Sequence, residues 1–343
     1  MAIKRLAIWV DPACEKDAIF DISSPLNRDN CLSTWILLKD RLAEKEWECR
    51  TYDMYKSENI IPDAVLFLEM PRKPLNKLLG NWYGKTRNMV VLLECEVIRP
   101  WNWVLENHKH FDAIFTWDER FVDNKKYFKV NFSNSFSIFK PNIGQKNRKF
   151  CTTIAAHKNT KHQLELYSER EKIIRWFEKN HQEEFDLYGI GWDRQAFSNV
   201  FLQHAFNRIG FLNKLFKPKF PSYRGTIVSK NVILKNYKFS ICYENAQGVK
   251  GYITEKIFDC FFAGCIPIYW GASNIEKYVP KKCFIDRREF KTHESLYKFL
   301  KGFKDSDYIE MTNLICEYLQ SDQSFQFTNA YFAQTISMVV SNG

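Results

Sequence analysis

Residues 239–271, FSICYENAQGVKGYITEKIFDCFFAGCIPIYWG, decide the fold of this chain. The first seven residues are typical of a buried strand, and the next six form a loop sequence with two glycines. Apolar residues then recur at helical spacing until Gly264, and the last seven residues predict a second strand. This order predicts a parallel α/β unit, whose helix N-terminus lies at the carboxyl ends of the strands, where open α/β folds bind ligands.

The same alternation of strands and helices extends over most of the chain. Short, nearly continuous apolar runs are typical of parallel strands that are buried on both faces. We predict strands at residues 6–10, 64–68, 89–93, 113–117, 150–155, 185–191, 239–242, 266–270 and 284–286, and helices at 31–45, 164–179 and 253–263. The polar stretch KPNIGQKNRK at 140–149 predicts a linker. The predicted fold class is therefore α/β, with two Rossmann-like domains that face a central cleft.

The chain has 343 residues, 45% of them hydrophobic, so each of two domains is long enough to bury its own core. We predict an N-terminal Rossmann-like domain at residues 1–145, a C-terminal one at 146–320 and a helical segment at 321–343. Lys and Arg outnumber Asp and Glu by 50 to 40, and the formal charge of +10 favours an anionic partner. A nucleic acid, an acidic membrane surface and a phosphorylated small molecule all satisfy that charge, so composition leaves the partner open.

Ten cysteines are scattered singly without a CxxC pair, which argues against a zinc knuckle and favours a reducing compartment. No run of about 18 apolar residues occurs that would span a membrane. The apolar stretch at the N-terminus reaches Asp11 too early for a signal peptide. These features predict a cytoplasmic protein without a metal ion, whose basic surface is compatible with peripheral contact at the inner face of an anionic membrane.

The start of the predicted helix at 253–263 carries the chemistry. A helix N-terminus offers unpaired N–H groups and the positive end of the helix dipole, which bind anions. Lys256 adds a full positive charge in the first turn, where it opposes the dipole and invites an anion. Glu255 alone would be an ordinary first-turn acid, but Asn245, Tyr252 and the two loop glycines beside it favour a ligand site. The residues themselves predict a diphosphate site.

Residues 237–290, with the strings YEN, YITEK and IPIYWG, resemble the donor-site region of the α-1,3-fucosyltransferases of glycosyltransferase family 10, bacterial type. The resemblance implies the GT-B architecture, GDP-fucose as co-substrate, inversion at the anomeric carbon and no obligatory metal or other cofactor. It also implies that the N-terminal domain binds the acceptor and the C-terminal domain binds GDP-fucose.

The resemblance also implies roles for individual residues. Asn245 and Tyr252 would contact the donor, Glu255 would hydrogen-bond the fucose, and Lys256 would bind the diphosphate. Tyr188 and Gly189, at the end of the predicted strand 185–191, would border the nucleotide.

Inverting transfer requires a carboxylate that removes the proton of the acceptor hydroxyl. Glu94 follows the predicted strand at 89–93, and Glu96 would point the same way if that strand continued. In the family, the proposed base is the first Glu of an E-x-E at such a strand end, before a Pro-containing loop. The stretch ECEVIRPWNW resembles this pattern, which implies Glu94 as the base and leaves Glu96 as the alternative.

One departure from the family concerns the phosphate-binding arginine before the first helix of the donor domain. The corresponding stretch here reads HKNTKHQLELYSER, without that arginine. Lys161, Arg170 or Arg224 could replace it.

Together these features predict transfer of L-fucose from GDP-fucose to a hydroxyl of an N-acetylglucosamine-containing glycan, as in protein glycosylation or lipopolysaccharide biosynthesis. The expected partners are GDP-fucose and an oligosaccharide acceptor, without nucleic acid. Three alternatives stay open: a transferase of the same fold that uses another nucleotide sugar, a basic nucleic-acid-binding protein, and a catalytically silent, membrane-associated scaffold.

Overall fold

Two parallel sheets organise the computed structural model, in which residues 3–136, 148–194 and 218–342 are described. Each sheet belongs to one of two compact units. The first unit comprises Met1–Phe136, Lys250–Tyr252 and Asp322–Gly343, and the second comprises Ser137–Val249 and Ile253–Ser321.

The first sheet has six strands in the order β2-β1-β3-β4-β5-β6, and all neighbours are parallel. Its strands are β1 (Lys4–Trp9), β2 (Trp47–Thr51), β3 (Ala64–Leu68), β4 (Arg87–Leu92), β5 (Ala113–Thr116) and β6 (Tyr127–Lys129). The helices in this part of the chain are α1 (Ser33–Ala43), α2 (Tyr52–Ser57), α3 (Leu75–Leu79) and α4 (Leu105–His108). The four strands predicted between residues 6 and 117 are confirmed.

The sequence prediction missed β2 and β6, which form the two edges of this sheet. Edge strands tolerate polar and charged side chains because they are covered less completely than central strands. Their sequences, WECRT and YFK, accordingly lack the continuous apolar run of the central strands.

The second sheet has five parallel strands in the order β11-β10-β9-β7-β8. Its strands are β7 (Lys149–Ile154), β8 (Phe185–Tyr188), β9 (Tyr237–Tyr243), β10 (Ile266–Trp270) and β11 (Ile285–Asp286). Among the described residues of this unit, the helices are α5 (Tyr167–Asn180), α6 (Lys230–Leu234), α7 (Glu255–Phe262), α8 (His293–Lys301) and α9 (Asp305–Leu319). All five predicted strands are confirmed, and β9, which leads into the predicted site, is central in the sheet.

The C-terminal residues form two helices, α10 (Asp322–Phe325) and α11 (Asn329–Ser341). Helix α11 packs against α1 and contributes Phe332, Ile336 and Val340 to the core of the first unit. Arg87, at the start of β4, donates a hydrogen bond from Nη1 to the carbonyl oxygen of Val339, 2.9 Å away. The end of the chain thus completes the core of the first unit.

The predicted linker at 140–149 lies outside the described residues except for Arg148 and Lys149, and Lys149 already begins β7. Across the three described ranges, no helix combines the length and apolar character needed to cross a membrane. Nor do these ranges bring together three or more His, Cys, Asp or Glu side chains that could hold a metal ion.

Candidate functional site

Helix α7 begins one residue after Thr254, which has extended backbone and caps the helix. The Thr254 hydroxyl accepts a hydrogen bond from the backbone N–H of Lys256 at 3.4 Å. Ile257, Phe258 and Phe261 are buried on one face, so packing fixes the axis of the helix. The helix predicted at 253–263 is confirmed, with the bounds Glu255–Phe262.

Glu244 holds this N-terminus in place from the end of β9. Its side chain is completely buried and accepts hydrogen bonds from the backbone N–H of Thr254 at 2.8 Å and from the Thr254 hydroxyl at 2.7 Å. Gly271 leaves room for this carboxylate, since a Cβ atom there would lie 2.5 Å from Glu244 Cγ. The sequence analysis missed this role, although an acid directly after a buried strand was a signal for it.

Lys256 lies between these groups and the solvent. Its side chain is 21% exposed, and Nζ lies 3.0 Å from the Thr254 hydroxyl and 3.3 Å from Glu244 Oε2. Burial lowers the pKa of Lys256, but the negative charges of Glu255 and Glu244 outweigh burial and raise it. The ammonium group therefore stays protonated at the helix N-terminus, in agreement with an anion-binding role.

Glu255 takes part in a separate cluster on the same helix. Lys230, from α6, donates to Glu255 Oε1 at 3.2 Å and to Asp259 Oδ2 at 2.7 Å. Burial raises the pKa of Glu255, but Lys256 and Lys230 lie close enough to lower it overall. Because its side chain is 41% exposed and ionised, Glu255 can accept hydrogen bonds from a sugar. Sequence reasoning did not identify Lys230, which is distant along the chain.

Asn245 directly follows Glu244 and is half-buried, and its carbonyl oxygen accepts from the backbone N–H of Leu166 at 3.2 Å. Asn245 therefore lies on the same strand end as the group that positions Lys256. The structure brings Asn245, Glu255 and Lys256 together around the start of α7.

Tyr188 and Gly189 lie at the end of β8, the edge strand, two positions from β9 in the sheet. The Tyr188 hydroxyl lies 3.0 Å from that of Tyr237. Gly189 has φ of +130°, and a Cβ atom there would lie 2.0 Å from the carbonyl oxygen of Ala155. Only glycine fits this close approach of two chain segments.

The three candidates for the second phosphate ligand have different environments. Arg170 is buried, and its Nη2 donates to the carbonyl oxygens of Tyr243 at 2.7 Å and Glu244 at 3.2 Å. Arg224 pairs with Asp186, with Nε 2.5 Å from Oδ1. Lys161 is exposed and forms no ion pair with the described residues. The guanidinium group of Arg170 is thus used to bind the backbone at the end of β9. Lys161 is the candidate whose charge is available to a ligand.

In the first unit, β4 ends at Leu92, so Glu94 and Glu96 do not continue the strand, and the idea that they point the same way along it does not hold. Glu94 is half-buried, whereas Glu96 is exposed in the following turn. The hydroxyl of Tyr252 donates to Glu94 Oε2 at 3.2 Å. The two glutamates therefore have different environments despite their spacing.

Tyr252 belongs to the first unit and is fully buried. Its ring centroid lies 5.3 Å from that of Trp117 and 5.8 Å from that of Phe132. This packing holds the phenol against Glu94, a contact that the sequence analysis missed because the two residues are 158 positions apart. A contact between Tyr252 and a donor stays a prediction.

The known proteins that resemble this chain, in sequence or in fold, include fucosyltransferases and other glycosyltransferases. The family model for "Glycosyltransferase family 10 (fucosyltransferase) C-term" matches residues 143–337, more than half of the chain. The α-(1,3)-fucosyltransferase FucT of Helicobacter pylori is 41% identical over 75 residues, which make up 22% of this chain and 16% of that protein. The aligned part is thus less than a fifth of that relative.

Two solved structures show the same fold over nearly the whole chain. An α1,3-fucosyltransferase with GDP covers 99% of this chain and 90% of its own, with a TM-score of 0.58 and 15% identity. An α-glucosyltransferase in complex with UDP and a 13-mer DNA covers 99% and 100%, with a TM-score of 0.58 and 12% identity. At these identities the likeness concerns the fold alone, and it confirms the predicted GT-B class.

Proposed function

Because the chain belongs to glycosyltransferase family 10, the fucosyltransferases, we propose that it transfers L-fucose from GDP-fucose to a hydroxyl of an N-acetylglucosamine-containing glycan. The family predicted from residues 237–290 is confirmed by the match over 143–337. The donor, the acceptor and the stereochemical course are parts of the proposal.

The observation that carries the proposal is the protonated Lys256 at the N-terminus of α7. A helix N-terminus and an ammonium group both attract the phosphate oxygens of GDP-fucose. They also stabilise the negative charge that grows on GDP as it departs. In this proposal, Lys161 provides the second cation, and the diphosphate needs no obligatory metal.

The sugar and the acceptor require carboxylates with different tasks. Glu255 accepts hydrogen bonds from the fucose, and Asn245 and Tyr252 contact the donor. The acceptor hydroxyl oxygen attacks C1 of fucose while the bond from C1 to the GDP oxygen breaks and GDP keeps the electron pair. Glu94 takes the proton of the attacking hydroxyl, and the configuration at C1 inverts.

Incubation of the purified chain with radiolabelled GDP-fucose and a small glycan array tests this proposal. We expect labelled glycan and free GDP in equal amounts, and no product with GDP-mannose or UDP sugars under the same conditions. Transfer from a UDP sugar alone would overturn the choice of donor. Salt-dependent RNA binding without any thermal stabilisation by GDP would instead support the nucleic-acid-binding alternative.

A further inference from the structure

A second glutamate, Glu69, lies next to Glu94 at the carboxyl ends of the strands of the first sheet. Glu69 directly follows β3, and the parallel register places Leu68 beside Val91 of β4. Its backbone N–H donates to the carbonyl oxygen of Val91 at 2.9 Å. Its φ of +69° is left-handed, a conformation that residues other than glycine rarely adopt. Such a conformation costs free energy, which the contacts of the Glu69 side chain offset.

The side chain of Glu69 binds the two backbone N–H groups that lead into Glu94. Its Oε1 accepts from the backbone N–H of Leu93 at 3.2 Å and from that of Glu94 at 3.0 Å. Its Oε2 accepts from the side-chain amide of Asn102, which also donates to the carbonyl oxygen of Glu94 at 3.1 Å. Since β4 ends at Leu92, these contacts replace the sheet hydrogen bonds that no longer fix the chain.

Two tryptophans complete this support of the Glu94 backbone. Trp103 Nε1 donates to the carbonyl oxygen of Glu94 at 3.1 Å, and Trp117 Nε1 donates to that of Leu93 at 2.5 Å.

Burial raises the pKa of Glu69, and the charge of Glu94 contributes in the same direction, whereas the hydrogen bonds that Glu69 accepts lower it. The side chain of Glu69 is thus buried where its charged form is disfavoured, and there it accepts the backbone N–H of Glu94.

We propose that Glu69 is a positioning residue, which fixes the backbone at Glu94 and thereby aims the Glu94 carboxylate at the acceptor hydroxyl. The inference rests on the proposed function, because it takes Glu94 as the base. A displacement of a reacting group by about 1 Å can cost about 10²-fold in rate. Loss of Glu69 should therefore lower kcat and leave the KM for GDP-fucose nearly unchanged.

A double-mutant cycle with Glu69→Ala and Glu94→Ala separates positioning from general structure. We expect Glu69→Ala to lower kcat about 10²-fold in the wild-type background and less than about threefold in the Glu94→Ala background, because residues that act as a unit are not additive. Glu46→Ala is the matched control, since Glu46 also has a left-handed φ of +62° but is exposed. An equal loss in both backgrounds, or no loss, would overturn the inference.

Amide hydrogen exchange supplies a measurement that does not depend on catalysis. In Glu69→Ala, the amides of residues 93–97 should exchange faster than in the wild type. The isosteric Glu69→Gln should increase their exchange rates less, and Glu46→Ala should leave these rates unchanged. Unaltered exchange in both Glu69 variants would overturn the positioning role even if the wild type transfers fucose. Faster exchange in the Glu69 variants, together with a wild type that transfers no fucose, would overturn the proposed function and leave the contact of Glu69 with the Glu94 backbone established.

Discussion

Two glutamates occupy equivalent places in the two units and have opposite tasks. Glu94 follows the buried strand β4, and Glu244 follows the buried strand β9. Glu244 is completely buried, and its carboxylate orders the start of α7 and Lys256. Glu94 is half-buried, and the protein orders its backbone instead. One glutamate is a support and the other is supported.

The elements that follow each strand explain this difference. After β9, which ends at Tyr243, the chain returns as the N-terminus of α7, which begins at Glu255 and whose unpaired N–H groups require an acceptor. After β4 it continues as turns and a short 3₁₀ helix with Asn102 and Trp103. These donors bind the backbone of Glu94, and the hydroxyl of Tyr252 binds its side chain. A strand-end glutamate thus acquires its role from the segment that covers it.

The largest expected effect comes from Glu94→Gln, which keeps the shape of the side chain and removes the proposed base. We expect kcat to fall about 10² to 10⁴-fold, the usual contribution of a general base. Steady-state kinetics of fucose transfer measures this, and the affinity for GDP-fucose should change little. Glu96→Gln is the control, and a larger loss in that variant would transfer the role of base to Glu96.

The next largest effect is expected for Lys256→Met. Its kcat/KM should fall about 10²-fold, because a positioned charge no longer stabilises the departing GDP. The exposed Lys282 provides the matched control as Lys282→Met, for which we expect wild-type kinetics. Kinetics near the wild type in Lys256→Met would contradict the proposed diphosphate site.

Glu244→Gln tests the supporting glutamate through stability. The variant loses the charged acceptor of three hydrogen bonds, so the free energy of unfolding should fall by about 2 kcal/mol. Urea unfolding measures the change. Glu94→Gln should lose much less in the same experiment, and an equal loss in the two variants would remove the distinction drawn between the two glutamates.

Tyr252→Phe removes the hydroxyl that binds Glu94 and keeps the ring between Trp117 and Phe132. One hydrogen bond is worth about 1 kcal/mol, so we expect a fall in kcat of about fivefold. Tyr83→Phe, at an exposed tyrosine, is the control. If Tyr252→Phe raised the KM for GDP-fucose and left kcat unchanged, the hydroxyl would act on the donor alone and would not support the proposed base.

The smallest effect concerns the pair of Lys230 with Glu255 and its dependence on pH. The pKa of Glu255 in the folded chain lies below its ordinary 4.5, so the ionised carboxylate contributes stability above about pH 4.5, and this contribution is lost as the pH falls. Both side chains are more than a third exposed, so solvent screening limits it to less than about 1 kcal/mol. The difference in unfolding free energy between wild type and Lys230→Met should therefore shrink between pH 7 and pH 3. A constant difference would show that the pair does not titrate as described.

The sequence predicted every strand with a continuous apolar run in the first sheet and all five strands of the second sheet, and it missed only β2 and β6 among the described strands. The runs AVLFL and IPIYW form β3 and β10 over the predicted residues, because strands buried on both faces need continuous apolar side chains. The sequence WECRT of β2 instead alternates between buried positions, at Trp47, Cys49 and Thr51, and half-buried charged side chains. A search for continuous apolar runs therefore finds strands such as β3 and β10 and misses a strand whose side chains alternate, such as β2.

By itself the sequence determined the fold class, the family and the cation at the start of α7, because these depend on local periodicity and on short strings of adjacent residues. Only the tertiary structure decided that Glu244 supports Lys256, that Arg170 is occupied by strand-end carbonyl groups, and that Tyr252 and Glu69 hold Glu94. Each of these contacts joins side chains from separate elements. The packing of the sheets, and not the spacing along the chain, determines which side chains meet in these contacts.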